Sequence, residues 1–142
     1  MGTDNSNLPI LVVEDNPIDL ELTLRAFNRK KLTNPIQVAR DGEEALRFVE
    51  KWEQGEQTPV VILLDLSMPK VNGLEVLEKI KSHPEFKTIP VVILTTSSES
   101  NDLQRAYQLG ANSYIVKPVD FEKFLEVAEV IELYWRVINK PA

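Results

Sequence analysis

Residues 60–73 read VVILLDLSMPKVNG. Val60 to Leu64 are all apolar, and the run then ends on a carboxylate, Asp65. An apolar run of this length bounded by turn residues predicts a strand buried on both faces. An ionisable group at its end is costly: a buried charge loses several kcal/mol unless it is paired, hydrated or metal-bound. Asp65 therefore either closes the strand as a simple cap or belongs to a site. The rest of the chain decides between the two.

The period of the apolar residues alternates along the sequence. PILVVED (9–15), PIQVAR (35–40), PVVILLD (59–65), IPVVILTT (89–96) and NSYIVK (112–117) read as short strands. Each is followed by a helical pattern. In the first, Ile18, Leu22, Arg25 and Ala26 fall at helical spacing, with Leu20, Leu24 and Phe27 beside them. Asn16 before Pro17 predicts an N-cap with proline at the first helical position. Gly55 and Gly110 predict helix stops, and Asn72 an N-cap for the third helix. Arg29–Lys31 read as a basic last turn favourable to the helix dipole. Trp52 reads as packing, and His83 as an exposed residue at a helix end.

Strand–helix alternation with continuously apolar strands implies an α/β fold: a doubly wound, five-stranded parallel sheet covered by helices on both faces. No linker or second domain is visible. The expected organisation is a flexible polar leader over residues 1–7 and one domain over 8–142 with an extended C-terminal helix. At 142 residues the chain can bury a real core. Charged residues are 27% and hydrophobic ones 43%, an ordinary globular composition. A net charge of −6 argues against nonspecific nucleic-acid binding. No apolar run is long enough to span a membrane, and the N-terminus lacks the segments of a signal peptide. Gly2 with Ser6 fits only the loose myristoylation pattern. Without cysteine there is no disulfide, thiol nucleophile or thiolate metal site. A cytoplasmic protein is expected.

In such sheets ligands bind beyond the carboxyl ends of the strands. Glu14 and Asp15 end the first strand, Asp65 the third, Thr95 and Thr96 the fourth, and Lys117 the fifth. Arg40 and Asp41, after the second strand, are expected further out. Three carboxylates on one rim repel unless a cation lies among them. Mg²⁺ suits the set, because it takes one or two carboxylates, keeps waters and completes its shell with phosphate oxygens. Lys117 offers a compact positive charge and Thr95 a hydroxyl. The inventory predicts a phosphoryl site with Asp65 as nucleophile, forming an aspartyl phosphate.

These residues carry a resemblance. VVEDN, LLDLSMPKVNG, ILTTS and SYIVKP, in this order and on these strand ends, resemble the receiver domain of bacterial two-component response regulators of the chemotaxis type, over residues 8 to 135. Asp65 and Thr95 stand thirty residues apart, and Tyr114 three before Lys117, as in the family. The resemblance implies the flavodoxin-like (βα)5 receiver fold with strand order 2-1-3-4-5. It implies that Asp65 accepts a phosphoryl group from a phosphohistidine of a sensor histidine kinase. Asp15, Asp65 and the Ser67 carbonyl would bind Mg²⁺ directly, with Glu14 acting through water. Lys117 and Thr95 would hold the phosphoryl oxygens, and Tyr114 would swing inward when Thr95 moves. A cis Lys117–Pro118 bond is expected on the same ground. The protein would be a phosphoacceptor assisting its own phosphorylation and dephosphorylation, not an enzyme acting on others. IELYW, DLSMPK and ILTTS further resemble receivers paired with cyanobacterial phytochrome kinases.

Asn72 stands where Asp is commoner in the family, and Thr96 where a small Ala or Ser is usual. Other classes fit less well. A dehalogenase-like phosphatase needs a second Asp two residues after its nucleophile, where this chain has Ser67. A flavin-nucleotide binder wants a glycine- and hydroxyl-rich phosphate loop, whereas EDNPID (14–19) would repel phosphate. A phosphorylation-independent docking receiver is the remaining alternative.

The last helical stretch carries two apolar stripes. Phe121, Phe124, Leu125, Ala128, Ile131, Trp135 and Ile138 suffice to dock it on the sheet. Val127, Val130, Leu133, Tyr134 and Val137 form a second stripe on the flank, where a helix covering a sheet should be polar. An exposed stripe of this kind predicts a partner surface, here a homodimer paired stripe to stripe.

Overall fold

The computed structural model describes residues 8–29, 34–66, 68, 72–95, 101–116, 122 and 129. Within them the chain alternates β1 (Ile10–Val13), α1 (Pro17–Arg29), β2 (Ile36–Ala39), α2 (Gly42–Glu53), β3 (Val61–Asp65), α3 (Gly73–Lys81), β4 (Val91–Thr95), α4 (Asn101–Gln108) and β5 (Ser113–Val116). The five strands form one parallel sheet in the order β2-β1-β3-β4-β5. The alternation read from the sequence and the expected strand order both hold. The leader (residues 1–7) and the two stripes of the last helical stretch lie outside the described residues; of residues 120–139 only Glu122 and Glu129 are described, both helical.

Successive strand residues face opposite layers, and the core divides accordingly. Leu11, Val13, Ile62, Leu64, Val91 and Ile93 pack with residues of α2, α3 and α4. Ile10, Val12, Val61, Leu63 and Val92 pack with Leu20 and Phe27 of α1. Each fully buried Val, Leu or Ile side chain contributes about 1.5–3 kcal/mol, which is why the apolar runs lie centrally. Trp52 is buried and meets Phe86 edge to face, with ring centroids 5.5 Å apart.

Two sequence expectations are corrected. Ile18 is 69% exposed, and the inward stripe of α1 is Leu20, Thr23, Ala26 and Phe27. Thr23 tolerates full burial because its hydroxyl donates to the Asp19 carbonyl at 2.8 Å. His83 is half-buried rather than exposed, its ring stacked on Phe86 at 3.9 Å, and its Nδ1 accepts from the Glu85 N–H.

Helix ends are set by local chemistry, as expected at Asn16, Asn72, Gly55 and Gly110, and also at Asp41. Asn16 Oδ1 accepts from the N–H groups of Ile18 and Asp19 at the start of α1. Asp41 Oδ1 accepts from Glu44 N–H at α2, and Asn72 Oδ1 from Glu75 N–H at α3. Gly55 and Gly110 follow α2 and α4 with φ of 99° and 110°, left-handed values that glycine adopts at little cost.

Candidate functional site

Parallel register levels the strand ends. β1 and β3 pair Val13 with Leu64, so the next residues, Glu14 and Asp65, stand side by side one strand spacing apart, about 4.8 Å. The ladder continues through both: Glu14 N–H donates to the Ala39 carbonyl and Leu66 N–H to that of Leu94. Asp15 follows in the chain. One carboxylate oxygen from each of Glu14, Asp15 and Asp65 lies within 4.8 Å of the others. Glu14 is fully buried and Asp65 only 2% exposed. Arg40 and Asp41 follow β2, the outer neighbour of β1, away from Asp65 as expected.

Local structure holds this cluster. Asn16 N–H donates to Glu14 Oε2 at 3.2 Å, so the turn that caps α1 also orients the Glu14 carboxylate. The positive end of the α1 dipole stands beside the acidic group and offsets part of its repulsion. At the end of β3, the α3 terminus approaches so closely that a Cβ on Gly73 would lie 2.4 Å from the Asp65 carbonyl oxygen. Gly73 N–H donates to the Leu66 carbonyl, fixing α3 against the strand exit.

The donor set fits a hard divalent cation: three oxygen ligands, two of them withdrawn from water, with charge that a cation offsets. Thr95 ends β4, one residue past Leu94, which pairs with Asp65, and its backbone pairs with Val116. Its side chain, Ser67 and Lys117, which directly follows β5, lie outside the described residues. Tyr114 on β5 is 40% exposed. Sequence reasoning missed two contributors. Gly73 stands in a common helix-start pattern, but its contact with Asp65 is nonlocal. Tyr107, whose ring meets Tyr114, gave no signal beyond being an aromatic residue on α4.

Residues 10–129 match the family model of the response regulator receiver domain. The chain belongs to that family. It is a receiver of the kind found in two-component systems, and its relatives include phytochrome response regulators. It is 46% identical to the probable methanogenesis regulatory protein FilR2 of Methanothrix harundinacea over 132 residues, 92% of this chain and 85% of that one. Response regulator Rcp1 of Synechocystis is 36% identical, with 99% of each chain covered. The Mn²⁺-bound form of Rcp1 superposes on this receiver with a TM-score of 0.78, covering 95% and 97% of the two chains at 33% identity. The phosphorylated cyanobacterial phytochrome response regulator RcpA gives a TM-score of 0.79 at 36% identity, covering 91% of this receiver and 94% of RcpA. Among the described residues no helix is long and apolar enough to cross a membrane.

Proposed function

We propose that this receiver is a phosphoacceptor that takes a phosphoryl group from a phosphohistidine of a sensor histidine kinase onto Asp65 and signals through protein contacts. The observation that carries the reading is the acidic cluster at the carboxyl rim of the sheet, in which Glu14 and Asp65 are buried and Asp15 is more exposed. An Asp65 carboxylate oxygen attacks phosphorus, the bond from phosphorus to the imidazole nitrogen breaks, and its electron pair returns to the ring. Glu14, Asp15 and Asp65, with the Ser67 carbonyl, would hold Mg²⁺. When bound, that ion neutralises phosphoryl oxygens and lowers the repulsion met by an anionic nucleophile. Lys117 and Thr95 orient the transferred group, and Tyr114 moves inward in the phosphorylated state. The protein turns over no substrate of its own; it assists its own phosphorylation and dephosphorylation. Likeness to RcpA supports a phytochrome-type kinase as the partner.

The reading is tested with acetyl phosphate, which supplies the phosphoryl group without a kinase. Uptake should require Mg²⁺ and stop on chelation; a phosphorylation-independent docking receiver would take up none. Mg²⁺ at ten times its dissociation constant should stabilise the fold by about 1.4 kcal/mol, raising the melting midpoint by about 4 °C. Asp15→Ala should lose both uptake and the midpoint shift. Unchanged uptake in that variant, with equal midpoints with and without Mg²⁺ in the wild type, would count against the metal site.

The second apolar stripe, Val127, Val130, Leu133, Tyr134 and Val137, supports a homodimer on the final helix. Sedimentation at micromolar concentration should give a dimer that Val130→Glu or Tyr134→Glu dissociates. A wild type that is monomeric with and without phosphorylation would rule this pairing out.

A further inference from the structure

The path from α4 to β5 has little freedom. Gly110 takes the left-handed conformation, its N–H donates to the Tyr107 carbonyl, and Ala111 N–H donates to that of Ala106, each at 3.0 Å. These two bonds close the helix in a Schellman stop. Asn112 then clasps β4 from both sides: its N–H donates to the Val91 carbonyl and its Oδ1 accepts from Val91 N–H, both at 2.9 Å. The Lys81 stem packs beside Gly110, while its ammonium donates to the Lys87 and Ile89 carbonyls. The backbones at Tyr107 and Tyr114 are thus held at a fixed separation by bonds that involve neither ring.

Across that gap the two rings meet edge to face, with centroids 6.0 Å apart and planes at 87°. Both side chains remain substantially exposed, 43% for Tyr107 and 40% for Tyr114. The pair therefore fills no core position, and burial alone does not account for it. Tyr114 sits on β5, the edge strand of the sheet. The contact with Tyr107 is made here with Tyr114 in an outward, solvent-facing position.

We propose that Tyr107 is a positioning residue that latches Tyr114 in its outward position and so sets how readily the receiver enters its phosphorylated conformation. This rests on the reading above, in which Tyr114 moves inward on phosphorylation. A contact made in one state alone biases the equilibrium toward that state, and any ligand favouring the other must overcome it. An edge-to-face aromatic pair is worth about a two- to tenfold bias.

Beryllofluoride with Mg²⁺, a mimic of the aspartyl phosphate, tests the latch. Its affinity is measured by titration while the labelled Tyr114 ring is followed by NMR. Tyr107→Ala should bind beryllofluoride about two- to tenfold more tightly, and Tyr107→Phe, which keeps the ring, should stay near the wild type. In a Tyr114→Ala background the Tyr107→Ala gain should vanish. Equal or weaker binding by Tyr107→Ala, or a gain that persists without Tyr114, overturns the latch alone. A Tyr114 ring signal that does not respond to beryllofluoride in the wild type overturns the switch reading, and the latch with it.

Discussion

Asp65→Asn should abolish phosphate uptake from acetyl phosphate while leaving the protein folded. The substitution keeps the size and shape of the side chain and replaces the nucleophilic carboxylate by an amide, which does not attack phosphorus. Removing a nucleophile from an otherwise intact site costs at least about a thousandfold in rate. Two other carboxylates stand within reach, so the loss need not be complete on proximity alone. Position argues that it will be. Glu14 is fully buried and one of its oxygens already accepts the Asn16 N–H. Asp15 lies on the β1 side of the cluster, whereas Asp65 ends β3, the strand between β1 and β4. Of the three carboxylates, Asp65 alone stands on the strand that pairs with both β1 and β4, whose last residue is Thr95. The variant also relieves like-charge repulsion between Asp65 and the buried Glu14 beside it, so its melting midpoint without Mg²⁺ should equal or exceed that of the wild type. Intact-mass spectrometry after acetyl phosphate treatment reads the outcome directly. Phosphorylation of Asp65→Asn at the wild-type rate would place the acceptor elsewhere.

The features legible in the sequence are those decided by short-range chemistry or by period. Val61–Leu64 could be placed in a central strand because only a strand covered on both faces keeps consecutive side chains dry. Asn16, Asn72, Gly55 and Gly110 could be assigned because caps and left-handed stops depend on the residue itself. The acidic cluster followed from strand order, since levelled parallel strands bring their terminal residues together. What escaped depends on where an element lies in the fold. Ile18 has the right period for the core, but it sits in the first turn of α1, where its side chain is left exposed. Thr23 takes the inward place because a helix carbonyl satisfies its hydroxyl. His83 gave no hint of stacking on Phe86, because the turn that folds one ring over the other is irregular. Tyr107 and Tyr114 meet only because Gly110 and Asn112 set the distance between α4 and β5.

Gly73→Ala should destabilise the receiver and impair the site together, although alanine is the better helix former by about 1 kcal/mol. The added Cβ would stand 2.4 Å from the Asp65 carbonyl oxygen, 2.6 Å from Leu66 Cα and 3.1 Å from the Asp65 carbonyl carbon. All three are backbone atoms of the strand exit, so no side chain can rotate away to make room. Either α3 withdraws, stretching the Gly73 N–H bond to the Leu66 carbonyl, or the end of β3 shifts and carries Asp65 with it. Overpacking of this kind costs about 1–3 kcal/mol, and a backbone clash belongs at the upper end. After the gain in helix propensity, a net loss of about 2 kcal/mol should lower the melting midpoint by about 7 °C. A misplacement near 1 Å can cost a catalytic site about a hundredfold, so phosphate uptake should fall by about ten- to a hundredfold. Gly55→Ala is the control. Nothing lies within 4 Å of its Cβ position, and only the left-handed backbone, φ of 99°, resists the change. That variant should lose about 1 kcal/mol and keep wild-type uptake. If Gly73→Ala melts with the wild type and takes up phosphate at the same rate, the close approach of α3 does not hold Asp65 in place.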